Sequence, residues 1–306
     1  MLSTDNVRGA FFMAVAMAGF VLNDTMMKLV FGDLELFQAI FMRGLLLSLL
    51  IGAVALARRE LVYRPSRADA RTLGLRVAGE IGSAVCFLTA LYHMPIANAM
   101  AIIQAIPLAI TLAAALVFGE KVGWRRYSAI AAGFAGVMII VRPGAEGFNV
   151  YAFWALASVG FMVLRDLSTR SFSHAIPSLF VAFVTAVLTA AFAGAVALTR
   201  AWQPLGLEQF ALLSASAGFL FFGYLFSIKA MRVGEVAVVS PFRYTIMIWA
   251  ILLGIFVFGE FPDEWTLVGA AIVVVTGIYT FYRERRLLQR AAIDTAVAAA
   301  AKTTAE

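Results

Sequence analysis

The chain has 306 residues, 62% of them hydrophobic and only 14% charged, and a soluble domain of this length cannot bury so much apolar side chain. The excess needs lipid around it. The formal charge of +6 is spread between apolar blocks, which fits an anionic membrane face and not nucleic acid, and one cysteine with two histidines excludes an internal disulfide and a Cys/His metal cluster.

A bilayer core asks for about 20 mostly apolar residues per helix. Spans are predicted at 10–31, 36–57, 72–92, 96–118, 125–142, 149–167, 175–199, 208–229, 235–258 and 265–282. The apolar run after residue 9 is too long for a signal-peptide core and is read as a retained helix. Pro65, Pro95, Pro143, Gly144, Pro204 and Pro262 fall in the connections, all of them short. The segment 284–306 is basic and then Ala-rich, and is expected to be a flexible cytoplasmic tail. The fold class is therefore an all-α integral membrane protein with ten transmembrane helices.

Lys and Arg set the orientation. With the N-terminus inside, 19 of the 24 lie in cytoplasmic segments, among them Arg58, Arg59, Arg64, Arg67, Arg71 and Arg76, then Lys121, Arg125 and Arg126, then Lys229 and Arg232. Only Arg142 and Arg200 lie outside, while Lys28, Arg43 and Arg243 sit within spans. Such a bias places both termini in the cytoplasm and requires an even helix count.

The chain repeats itself after about 140 residues. Val117-Phe118-Gly119-Glu120 returns as Val257-Phe258-Gly259-Glu260, Ala90 and Ala97 as Ala230 and Ala237, Gly136 as Gly277, and Gly19-Phe20 as Gly160-Phe161. Leu22-Asn23-Asp24 is similar to Leu164-Arg165-Asp166, and Lys28 matches Arg170. The halves are 8–143 and 147–283, with five helices each. An odd count turns the second half upside down relative to the first. Two halves related by an axis in the membrane plane give inward-open and outward-open states of similar energy, with a solute site between them near the midplane.

Those two Phe-Gly-Glu ends, the run Gly123-Trp124-Arg125-Arg126 into Gly133 and Gly136, Val141-Arg142-Pro143-Gly144, and Ser240-Pro241-Phe242-Arg243-Tyr244-Thr245 together resemble the EamA-type drug/metabolite transporters over about residues 8–283. The resemblance implies ten helices in two inverted halves, a central cavity and carriage of a small organic solute across the bacterial inner membrane. Its first-half motif is similar to that of importers of riboflavin or S-adenosylmethionine. Riboflavin uptake is the leading expectation. S-adenosylmethionine or amino-acid transport and export of a metabolite or drug stand as alternatives, with a channel or membrane enzyme as a different class. The partners expected are a small organic solute and the bilayer, without nucleic acid, cofactor or metal. No HExxH helix, Asp-rich pair or Ser–His constellation points to an enzyme, and His93 and His174 fall on opposite sides.

Charges inside spans cost about 2.5–3.5 kcal/mol at the centre, so they face a cavity or a partner. Asp24 and Lys28 are four apart and can pair on one face of helix one; the alternative is a gate or coupling role, shared with Asp166 and Arg170 in the other half. Arg43 is expected to pair with Asp24 or to bind an anionic group. Glu80 and Arg243 are expected to pair, or to be separated by solute. Asn23, Gln104 and Tyr244 are candidate solute contacts, the last two related by the repeat, against the alternative of plain interhelical hydrogen bonds. Pro107 and Pro241 are expected to kink their helices. Tyr92, Phe161 and Trp249, with Trp154, Phe222 and Tyr224, could stack on a planar ligand or simply pack.

Overall fold

The computed structural model describes residues 4–119, 123–143, 149–173 and 175–303, with the side chains of 236, 237 and 284–303 left aside. Glu120, Lys121, Gly144 and His174, all used above, lie outside the described residues. What is described is helical, without strands. The helices are α1 (Thr4–Val30), α2 (Leu36–Ala57), α3 (Arg67–His93), α4 (Ile96–Phe118), α5 (Trp124–Val141), α6 (Ala152–Arg170), α7 (Ser178–Ala197), α8 (Leu207–Val233), α9 (Ser240–Phe258, entered through the turn Val236–Val239) and α10 (Glu264–Thr303). Eight of them are long and apolar enough to cross a membrane; α5 and α6, of 18 and 19 residues, fall short by that measure. Arg125 and Arg126 open α5, and Arg165, Asp166 and Arg170 close α6.

Helices α1, α3 and α8 run longer than hydropathy suggests, 27 residues each, or ~40 Å. Hydropathy stops where charge begins, but a helix continues into water wherever its backbone is capped. Ser66 caps α3, accepting from the Asp69 N–H at 3.1 Å, and Glu35 caps α2 through the Phe37 and Gln38 N–H groups. The backbone of α10 stays helical through Thr303, past the predicted end at 282. The repeated Phe-Gly has a direct backbone cause. Gly119 and Gly259 take φ of 66° and 65° after the last turns of α4 and α9, a left-handed conformation that only glycine adopts without strain.

Helices α4 and α9 are both interrupted. In α4 the helix breaks at Gln104 and Ala105, just before Pro107. In α9 a tight 3-10 stretch covers Ser240–Thr245 around Pro241, and a π-turn covers Gly254–Phe258. Each proline withdraws a backbone donor from the ladder.

The widest interhelical packing joins α1 to α8, α3 to α6, α2 to α7 and α5 to α10. Exchanging the halves turns α1–α8 into α6–α3 and leaves the other two pairs unchanged, so the pairing is closed under that exchange. Side chains repeat it. Phe20 of α1 lies where a Cβ on Gly223 of α8 would be, and its repeat mate Phe161 of α6 lies where a Cβ on Gly82 of α3 would be. The first half of α4 is the core: Ile96, Ala99, Met100, Ala101 and Ile102 are almost wholly buried. The small residues of α5 and α10 let those helices touch, Gly136 against Gly269.

Candidate functional site

Six helices bring polar groups into the bundle interior in two connected clusters. The outer cluster centres on Asn23 of α1, which is only 3% exposed. Its Nδ2 donates to Asp24 Oδ1 at 2.8 Å. Its Oδ1 accepts from Ser216 Oγ of α8 at 2.7 Å and from Arg43 Nη1 of α2 at 3.4 Å. Asp24 and Arg43 lie within electrostatic reach of one another, yet the amide of Asn23 stands where a direct ion pair would form. Asp24 is six residues from the α1 end at Val30, about 9 Å deep.

The inner cluster is a second set of acids and bases. Glu80, at the middle of α3, faces Arg165 Nη1 of α6 at 3.4 Å, and Arg165 Nε donates to Asp166 at 2.8 Å. Arg243 of α9 feels Asp166 and Arg165 electrostatically, without a hydrogen bond or ion pair of its own among the described residues. Tyr224 of α8 stands between the clusters, within electrostatic reach of Glu80, Arg165 and Arg43, and is still 43% exposed. Accessible charged and phenolic groups at such depth belong to a polar interior, because facing them to lipid would cost several kcal/mol each. Together they offer cationic, anionic and aromatic contacts to one molecule.

Two expected pairings are corrected. Lys28 turns away from Asp24, its neighbour by spacing, and meets Glu260 after α9 at 2.6 Å and the Met94 carbonyl at 2.8 Å. A long side chain near a helix end reaches across the connection to a stronger acceptor pair. Glu80 takes Arg165 and not Arg243, because α3 packs along α6. The Lys28 contact is a three-part latch: Glu260 also accepts the Ile96 N–H at the start of α4, at 3.0 Å, and Lys28 lies 5.0 Å from the centre of the Phe258 ring. In the other half Arg170 lies 5.7 Å from the centre of the Phe118 ring, the same cation–ring contact made by the repeat mates of Lys28 and Phe258.

Other candidates sit apart from the clusters. Gln104 is buried at the α4 break, and its Nε2 has no hydrogen-bond partner among the described residues. Tyr244 lies against Gly277 of α10 and lines an apolar groove of about 470 Å³ between α9 and α10. Trp249 donates to the Ala14 carbonyl at 3.1 Å and ties α9 to α1. Tyr92 packs edge-on to Phe31 at one end of the bundle, beside His93, which stacks on Tyr151. Phe161 fills the space over Gly82. Sequence reasoning missed Glu260 and Arg165 as counter-charges, although both lie in the repeats and could have been found there. Ser216, one of three serines in an apolar helix, carried no signal.

The EamA-like transporter family model matches twice, over residues 7–142 and 149–283. The S-adenosylmethionine uptake transporter of Rickettsia conorii is 29% identical over 199 residues, which cover 64% of this chain and 66% of that one. The match thus spans just under two thirds of that relative's length. The riboflavin transporter of Vibrio cholerae is 30% identical over 60% of this chain and 62% of its own. The pseudopaline exporter CntI of Pseudomonas aeruginosa is 27% identical over 67% and 73%. A solved crystal structure covers 94% of this chain and 99% of its own with a TM-score of 0.63 at 20% identity, and shows the fold alone. With eight helices apolar enough to cross a membrane, an exchange-symmetric pairing and two family matches that cover nearly all of it, this multi-pass membrane chain belongs to the EamA-like transporter family.

Proposed function

We propose that the chain is a secondary transporter that moves a small charged metabolite across the bacterial inner membrane by alternating access. All ten helices span, in two inverted halves with both termini in the cytoplasm. The charge bias supports the orientation, and the exchange-symmetric pairing supports the inversion. The arginines at the ends of α5 and α6 explain why those two spans look short by hydropathy.

The observation that carries the reading is the set of acids and bases drawn into the interior from both halves: Asp24, Arg43, Glu80, Arg165, Asp166 and Arg243. A neutral solute has no use for so many charges in a low-dielectric interior, whereas a charged one offsets them. This favours S-adenosylmethionine, the cargo named for the Rickettsia relative, over riboflavin, the leading expectation from the sequence. Riboflavin stays as a second reading because the aromatic ring of Tyr224 stands among the charges and the Vibrio relative is named for it. The test is uptake of labelled S-adenosylmethionine and of labelled riboflavin by bacteria expressing the chain, against cells without it. Saturable uptake of the first, not competed by riboflavin, is expected. Rescue of a riboflavin auxotroph without S-adenosylmethionine uptake would transfer the assignment to the vitamin.

A further inference from the structure

Resting on that reading, we propose that Arg43 and Asp24, held apart by Asn23, form a clamp for the α-amino-acid head group of the cargo. The head carries a carboxylate and an ammonium on one carbon, so its receptor needs a base and an acid close together but not bonded to each other. Among the described residues Arg43, a guanidinium deep in α2, makes one hydrogen bond, a long one to a neutral amide oxygen, its buried Nε has no partner, and Asp24 accepts only from the amide of Asn23. Both charged side chains keep some accessible surface while Asn23 between them is buried. A guanidinium and a carboxylate this close would ordinarily collapse into a bidentate pair. Asn23 prevents that by bonding to both, and it is itself fixed by Ser216 from α8. The contacts each charge lacks are those a cargo carboxylate and ammonium provide: two N–H···O bonds from Arg43 and one or two N–H···O bonds to Asp24.

The test uses two ligands that differ by the head and a single methylene. S-adenosylhomocysteine carries it on an adenosine thioether, and 5′-methylthioadenosine is the same thioether without it. Isothermal titration of the purified full chain in detergent should give at least ten-fold tighter binding of S-adenosylhomocysteine. In Arg43→Gln the ratio should fall to near one, through weaker binding of the head-bearing ligand and unchanged binding of 5′-methylthioadenosine. Arg43→Lys, which keeps the charge, should retain part of the preference. A ratio near one in the unaltered chain overturns the clamp while leaving the transport reading standing. So does an Arg43→Gln chain that loses both ligands alike, since this marks a structural role. Riboflavin binding with neither nucleoside bound overturns the clamp and the cargo reading together.

Discussion

An amide cannot neutralise a guanidinium, so the contact between Asn23 and Arg43 leaves a cation in need of an anion, whereas Lys28 and Glu260 satisfy one another. The two situations predict different responses to mutation. Lys28→Met leaves the Glu260 carboxylate in a partly buried position without its cation, and should cost about 3 kcal/mol. The double variant Lys28→Met/Glu260→Gln should recover most of that, because the amide oxygen still accepts the Ile96 N–H. Thermal unfolding in detergent of the two single variants and the double variant measures the coupling; additive losses would dissolve the latch. A milder case lies outside the spans. Asp263 caps α10 through the Thr266 N–H at 2.7 Å and pairs with Arg142. Partial burial pushes its carboxyl up, but the hydrogen bonds from Thr266 and Arg142 outweigh it, so the group sits below the usual carboxylate range. Its contribution is complete above the ordinary carboxyl pKa of about 3.9 and is lost as pH falls through the lowered value. Asp263→Asn should therefore cost about 1 kcal/mol or less at pH 7, with the difference closing only under strong acid, as read from unfolding midpoints across pH.

At the level of elements, what matters is how closely α3 and α6 approach. A Cβ on Gly79 would stand 2.8 Å from the Arg165 nitrogen and 2.9 Å from the Phe161 carbonyl, both backbone atoms. No rotamer change relieves such a contact, so the helices must separate. Gly79→Ala should cost about 1–3 kcal/mol and loosen the Glu80–Arg165 pair. Gly74→Ala, on the same helix with nothing within 4 Å, should be neutral or slightly stabilising. Comparing the two unfolding midpoints separates helix contact from helix propensity. The interruptions in α4 and α9 also belong to this scale. Pro107 and Pro241 announced them as kinks in the sequence; the first became a break in α4 at Gln104 and Ala105 and the second a 3-10 stretch in α9, at repeat-related positions, as the loss of a backbone donor allows.

For the whole molecule the symmetry argument yields a topology that can be measured. Val62 lies between α2 and α3 and is almost fully exposed, and Trp202 lies between α7 and α8 and is about half exposed. In a chain with Cys86 replaced by alanine, a membrane-impermeant maleimide applied to intact cells should label Trp202→Cys and spare Val62→Cys until the membrane is opened. The reverse labelling would invert the orientation. Labelling of both would break the spanning count between them.

Composition and periodicity determined that this chain is a membrane-embedded helical bundle, because 62% apolar residues have no other solvent to occupy. They also determined the repeat, since a duplicated backbone needs the same glycine at the same left-handed turn, and Gly119 and Gly259 show it. Which charges the helices carry was legible too: Asp24, Arg43, Glu80 and Arg243 stand out in any apolar helix. Who meets whom was decided by tertiary structure alone. Spacing along one helix suggested Asp24 with Lys28, but the packing of α1 against α8 gave Asn23 to Ser216, and its packing against α9 sent Lys28 to Glu260, 232 residues away. Helical periodicity reports which face a residue shares with its neighbours in sequence, and says nothing about which other helix that face will touch.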